Sequence, residues 1–309
     1  MSGILNYTLF HSMIRNSTSI LFAMLACSIT QQANILNVGV EGIMLVAAFA
    51  AVATSFFTGS WVLAIFAAII AGVLIALIIA VANIKYKADI FAVGMTVNML
   101  ALALTKFANH NILHASGSFT SQDIKPIPDV KVAALSGNAV VDSLFNQYNL
   151  MEFIGIILIF VTGYFMYKTV FGLRTRSIGM NQMAALTAGI NVVKQKYVVM
   201  VISGVLGGLG GAYLSLGYTH MFTENMTNGR GFMGVAAMFF GNMNPVLGWV
   251  GCLLFGLLDS VGSQLQAYGI PSQLILMQPY IITVLILSAV LIVRKRKKTK
   301  LQSTNAGEA

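Results

Sequence analysis

Glu41-Gly42-Ile43-Met44-Leu45-Val46-Ala47-Ala48-Phe49 opens an apolar run, and Arg230-Gly231-Phe232-Met233-Gly234-Val235-Ala236-Ala237-Met238 opens another. From Gly42 and from Gly231 onward, five of eight positions are identical. Each copy precedes two long apolar runs separated by a polar turn. Five apolar spans lie between the starts of the two copies, an odd number, so the copies face opposite ways across a bilayer. Inverted repeats of this kind are a common transporter architecture, with the substrate path at the repeat interface. The alternative is two independent Gly/Ala-rich helices that pack closely.

The spans themselves come from length. A membrane helix needs about 20 mostly apolar residues. Such runs occur at 17–35, 41–57, 61–82, 90–107, 151–168, 197–219, 246–262 and 272–293. The piece at 231–241 is short, so it is tilted, broken or re-entrant. The piece at 3–14 fits a helix lying on the interface. The chain therefore reads as an all-α polytopic membrane protein of eight to ten transmembrane helices with an inverted repeat. It forms one transmembrane domain over 1–309, with repeat-like halves at 34–107 and 222–293. Composition agrees. The chain is 57% hydrophobic and 9% charged, against about 25% charged for an ordinary soluble domain. Cys27 and Cys252 lie in apolar runs, which excludes a disulfide framework and a cysteine metal site. The first run lacks a small-residue cleavage site, so a retained span is expected rather than a signal peptide.

Charge sets the orientation. The formal net charge is +9, which in so apolar a chain points to membrane topology rather than nucleic acid. The segment 169–196 with its flanking Lys168, the tail 294–309, and the short loop bearing Lys85 and Lys87 hold thirteen of the eighteen basic residues. These three are expected on the cytoplasmic side, which puts the C-terminus there. The segment 107–150, with Asp123, Asp129, Asp142, Pro126 and Pro128, reads as an external excursion.

Within and beside the spans, a few polar residues stand out. Glu41 is an acid inside a span, where charge costs about 2.5–3.5 kcal/mol on insertion scales. It faces a polar cavity or a partner, or it sits wet at a membrane edge. The matching places of Glu41 and Arg230 allow a pair across the repeat interface. Glu224 and Asn225 occupy the polar loop before Arg230, and for Arg230 the edge position is favoured. Asn34 and Asn37 either bond a solute or cap and bridge helices. Thr96 and Asn98 form one polar patch in an apolar run, serving solute contact or interhelical bonding. Neutral amides and hydroxyls suit a neutral polar solute and suit a phosphate poorly.

The segment 169–196 contains Gly179-Met180-Asn181-Gln182-Met183-Ala184-Ala185-Leu186-Thr187-Ala188-Gly189. Asn181 is placed to cap a helix of about two turns and Gly189 to end it. Small residues on such a helix let a partner surface approach closely. The Gly-x-x-x-x-Gly-Lys-Ser/Thr phosphate loop does not occur, so ATP hydrolysis by that route needs another chain. No catalytic set and no metal-binding set is legible. His110 and His114 are four apart, but they read best as part of a polar loop.

The Met183-to-Gly189 core resembles the Glu-Ala-Ala-x-x-x-Gly loop of permease subunits in ATP-binding-cassette importers, with Met183 in place of the Glu. The stretches 34–44, 202–217, 222–232 and 240–245 resemble permeases for nucleosides and simple sugars, the branched-chain amino acid/ribose type. The similarity is strongest over 172–262 and 34–50. The best match is the branch that works with purine-nucleoside-binding lipoproteins. The resemblance implies a non-enzymatic permease subunit of an ATP-driven importer in the bacterial cytoplasmic membrane, moving nucleosides, purine nucleosides first, or simple sugars. It implies a separate ATPase that uses ATP and Mg, a second homologous permease (identical or not), and an extracellular solute-binding lipoprotein. This chain itself carries no cofactor. It also implies that Gly179, Asn181, Met183, Ala184, Ala185 and Gly189 belong to a coupling helix that docks on the ATPase. The alternative is an ion-coupled secondary transporter, for which Glu41 or Asp259 would have to be the ion site.

Overall fold

A computed structural model of the chain describes residues 7–130 and 148–266, together with Met277 and Ile281. The expected span at 272–293, the tail at 294–309 and the stretch 131–147 of the excursion lie outside the described residues, apart from those two positions.

The order is α1 (Tyr7–Gln32), α2 (Val40–Thr58), α3 (Trp61–Ala80, running on into a π-helical turn at Val81–Lys85) and α4 (Ile90–Ile112). Next come β1 (Ser118–Phe119), β2 (Asp129–Val130), β3 (Tyr148–Asn149), α5 (Leu150–Lys168), α6 (Val170–Met180) and α7 (Gln182–Thr187). Last are α8 (Val192–Ala212, with a π-helical extension Tyr213–Thr219), β4 (Phe222–Thr223), α9 (Arg230–Phe240) and α10 (Pro245–Gln266). Seven of the helices are long and apolar enough to cross a membrane. α9, with 11 residues, is the shorter apolar helix.

The core is organised around α1, in which every residue from Asn16 to Thr30 is buried. Its neighbours fix the helix directions. Arg15 lies over Tyr218 while a Cβ at Gly210 would touch Phe22, so α1 and α8 are antiparallel. Gly207 faces Ile43 and Gly211 faces Ala47 and Ala48, so α2 runs parallel to α8. Gly234 faces Ala23, and the Met243 carbonyl just past α9 accepts from Ser28, so α9 runs parallel to α1. The two copies of the self-matching stretch, carried by α2 and α9, therefore point in opposite directions.

The loops sort to two ends. At one end, β1 pairs with β4 and β2 with β3, both antiparallel. Ser55 of α2 bonds both backbone groups of Lys125 there. We call this the pinned end. At the other end lie the α3–α4 loop with Lys85 and Lys87 and the α5–α8 connection with Lys168, Arg174, Arg176, Lys194 and Lys196. This is the basic end. The outer faces of α3, α4 and α5 carry exposed Phe66, Ile70, Phe91, Met99, Phe107, Phe160 and Tyr164, as a lipid-facing surface requires.

One sequence expectation needs correction. The piece at 3–14 is not a separate interfacial helix, because its described part belongs to α1 from Tyr7 onward. Within α1, Asn16 Nδ2 donates to Ser260 Oγ at 3.0 Å. The hydroxyls of Ser17, Thr18 and Ser19 donate to carbonyls three or four residues back. A helix whose polar groups are satisfied internally crosses apolar surroundings unbroken. The segment 169–196 holds the short helix that Asn181 caps and, ahead of it, a further helix, α6. α6 starts where the Thr169 hydroxyl accepts from Gly172 N–H, and its weak amphipathicity hid it from a periodicity reading.

The glycine run of α8 serves three partners at once. Gly204 and Gly208 meet α3, Gly207 and Gly211 meet α2, and Gly210 meets α1. A Cβ on Gly208 would lie 2.8 Å from the Ala68 carbonyl oxygen and 2.9 Å from Ile69 Cα. Both are backbone atoms that cannot step aside alone. Gly208→Val should therefore lower stability by about 1–3 kcal/mol through overpacking. Gly163→Ala, where a Cβ meets nothing within 4 Å, should be neutral or slightly stabilising. Thermal unfolding of the detergent-solubilised chain checks both.

Candidate functional site

The centre of the site is the start of α2. Glu41 is buried, with 8% of its surface exposed. Its Oε1 accepts from Gly229 N–H at 2.8 Å and its Oε2 from Gly231 N–H at 2.6 Å. Gly229 has φ +81 and precedes α9, so these are orphan donors of the α9 N-terminus. Glu41 also lies in the first turn of α2. One carboxylate thus faces the positive ends of two helices. Gly231 is required there, since a Cβ would lie 2.7 Å from the Glu41 backbone.

Arg230 does not pair with Glu41. Its guanidinium turns to Asp259 of α10, with NH2 and Oδ2 3.1 Å apart, and to the Met226 carbonyl at 3.3 Å. The partner of Glu41 across the repeats is backbone, because the carboxylate matches the geometry of the free N–H groups.

Around Glu41 stand two of the predicted amides. Asn98 Oδ1 accepts from Gly42 N–H at 2.8 Å, and its Nδ2 donates to the Val38 carbonyl at 3.1 Å. It stitches α4 to the broken segment 33–39. Asn37 is fully buried, and its Nδ2 donates to Ser203 Oγ of α8 at 2.9 Å. Its Oδ1 is buried without a partner. Asn98 thus bonds backbone on either side of Glu41, and Asn37 lies in the segment that leads into α2. The other candidates do not join them. Asn34 is exposed at the end of α1 with φ +57. Thr96 points outward and donates to the Ala92 carbonyl, since residues two apart on a helix do not share a face. Glu224 accepts from Gly117 N–H at 3.0 Å and pairs with Lys106 at 3.6 Å at the pinned end. Asn225 is exposed in the same turn.

A second polar layer, nearer the pinned end, was not singled out from the sequence. Glu152 of α5 and Tyr213 of α8 are both buried, and Tyr213 Oη donates to Glu152 Oε1 at 2.7 Å. Arg15 Nε lies 3.9 Å from the same oxygen. The guanidiniums of Arg15 and Arg230 lie over the Tyr218 ring at 5.3 and 5.8 Å. One legible signal was Asn149-Leu150-Met151-Glu152, a capping box ahead of an apolar run. Burial and the nearby Glu152 carboxylate push the Tyr148 phenol up to about 12, so it stays protonated. Beside this layer, a cavity of about 430 Å³ opens between α1, α5 and α10. Its walls include Phe10, Met13, Phe153 and Trp249.

At the basic end, Asn181 Oδ1 accepts from Met183 and Ala184 N–H at 3.0 and 3.1 Å, and Gly189 follows α7 with φ +78. Ala185 is buried among Ile178, Val192 and Ile190. Ala184, Met183, Leu186 and Met180 are exposed, Met180 at 88%. Gly179 sits against the Gln32 carbonyl, and Gln195 Nε2 donates to Thr175 Oγ1 at 2.8 Å. α7 is therefore tied through α6 to the ends of α1 and α8.

Comparison with known proteins decides the family. The family described as "Branched-chain amino acid transport system / permease component" matches residues 9–294. The chain belongs to this permease family. A guanosine ABC transporter permease protein of Bacillus subtilis is 35% identical over 271 residues, 84% of each chain. A nucleoside ABC transporter permease protein of Lactococcus lactis subsp. cremoris is 34% identical over 289 residues, 90% of each. A ribose import permease protein of Bacillus subtilis is 31% identical over 140 residues, 42% of this chain and 41% of that one.

For this permease, the Glu41 bonds make a quantitative expectation. Glu41→Ala leaves two buried N–H groups without an acceptor, at about 1–3 kcal/mol each. Glu41→Gln keeps one acceptor oxygen and should lose less. Thermal midpoints in detergent should fall in the order wild type, Glu41→Gln, Glu41→Ala.

Proposed function

We propose that this permease subunit serves an ATP-driven nucleoside importer, with purine nucleosides as the leading solute class. The observation that carries this reading is the similarity to guanosine and nucleoside permeases over 84–90% of the chain. The buried polar groups agree in kind. Asn37 and Asn98 are neutral amides, and the acids inside the spans are engaged by backbone or arginine. Such a lining fits an uncharged sugar-bearing solute better than an anion. Simple sugars such as ribose stand second.

The energy enters from a separate ATPase that binds ATP and Mg. Its docking point is α7, whose exposed Met183, Ala184 and Leu186 face away from the bundle. Closure of the ATPase pair moves α7, and α6 carries that displacement to α1 and α8. These helices border the Glu41 clamp, so the two repeats shift against each other. A second homologous permease and an extracellular solute-binding lipoprotein complete the assembly. The basic end and the C-terminus face the cytoplasm, where Lys and Arg collect. An ion-coupled mechanism finds less support, because Glu41 and Asp259 are already engaged by N–H groups and Arg230.

Two measurements test this. Proteoliposomes holding the permease with its partner subunits should accumulate radiolabelled guanosine only with ATP. Uptake by the chain alone, insensitive to ATP, would overturn the proposal. Ala184→Glu should abolish co-purification of the ATPase while leaving the permease thermal midpoint unchanged. Ala185 is unsuitable for this test, because a charge at its buried position would disturb α7 itself.

A further inference from the structure

Like α8, α3 ends in a π-helical turn, here with Tyr86 N–H donating to the Val81 carbonyl at 3.3 Å and Ala88 N–H to the Ala82 carbonyl at 3.1 Å. Asn83 Nδ2 donates to the Ala88 carbonyl at 3.0 Å and holds the wide turn closed. Along the last turns runs a shallow, open groove of about 550 Å³ lined by Leu74, Leu77, Ile78, Val81, Ala82 and Tyr86. The lining is almost entirely carbon, and Leu74, Ile78, Val81 and Tyr86 are exposed. Directly beyond the groove stand Lys85 and Lys87, both exposed. Lys85 Nζ lies 5.5 Å from the Tyr86 ring centroid. The ion pairs among the described residues involve Arg15, Lys106 and Arg230, so neither lysine has a carboxylate partner. The nearest acid in sequence, Asp89, uses Oδ1 to cap α4 through Ala92 N–H.

We propose that this groove seats one acyl chain of an anionic phospholipid whose headgroup phosphate is held by Lys85 and Lys87. The chemistry follows from order along the helix: an apolar channel at bilayer depth, an aromatic ring at the boundary, and two ammonium groups where headgroups lie. Tyr and Lys anchor helices at that interface. Juxtamembrane lysines attract anionic lipid at about 1 kcal/mol each. A solute of the transported kind does not fit, because the walls offer its hydroxyls no partner. What sets it apart from a bare lipid-facing surface is the pair of exposed lysines directly beyond it.

The test uses the full chain in detergent, titrated with phosphatidylglycerol or phosphatidylcholine of identical acyl chains and read by native mass spectrometry. Wild type should retain phosphatidylglycerol with about a thirtyfold preference, two lysines at about 1 kcal/mol each. Lys85→Ala/Lys87→Ala, two surface changes that leave the fold intact, should abolish the preference. Ala82→Phe, which fills the groove floor, should lower retention of both lipids. Equal retention of the two lipids by wild type, or an undiminished preference in the double variant, overturns the proposal. So does efficient disulfide cross-linking between two Tyr86→Cys copies, which would mean a second permease covers the groove. Cys27 and Cys252 are fully buried and do not confuse that readout.

Discussion

The Glu41 carboxylate is the contact on which the arrangement of α2 and α9 depends. α9 begins inside the bundle, so its first N–H groups have no water to turn to. Left unpaired, they would cost about 1–3 kcal/mol each. Glu41 satisfies two of them and sits at the N-terminus of its own helix as well. The desolvation cost of a buried acid is offset by two helix ends and two short hydrogen bonds. Because α2 and α9 belong to opposite copies of the repeat, that bond is also the most direct polar link between them.

The same logic governs the broken segment at 33–39. Backbone that leaves a helix within the membrane must be paired by something. Asn98 reads Val38 on one side and Gly42 on the other, and Asn37 reaches Ser203. Around these polar stitches the glycines of α8 let three helices approach at once. Rigidity is concentrated here and at the pinned end, where two small antiparallel ladders and the Arg15–Glu152–Tyr213 layer tie loops to spans. The basic end is attached differently, through α6 and α7, with Gly179 against Gln32. α7 is thus held by packing and hydrogen bonds rather than left as a free loop.

Much of this was readable from residues. The self-match between 42–49 and 231–238 predicts opposed copies, and α2 and α9 do run oppositely. The basic loops fall at one end together because their helices alternate. Asn181 caps and Gly189 ends a short helix because their side-chain chemistry and conformational range allow little else. The site residues were harder. Thr96 and Asn98 looked like one patch, yet two residues on a helix point apart. Arg230 looked like a partner for Glu41, yet Asp259 holds it. Arg15 and Glu152 went unremarked, since nothing in a linear reading brings α1 to α5.

The sequence by itself determined the membrane class, the placement of most spans, the gathering of basic loops at one end and the family. Each of these depends on local composition and on short-range spacing. Tertiary structure alone decided which buried polar groups meet: Glu41 with the α9 backbone, Asn37 with Ser203, and Tyr213 with Glu152. The physical reason is the low dielectric of the bundle. There, a polar group must find a partner wherever packing places one, and packing is set by shape across helices distant in sequence.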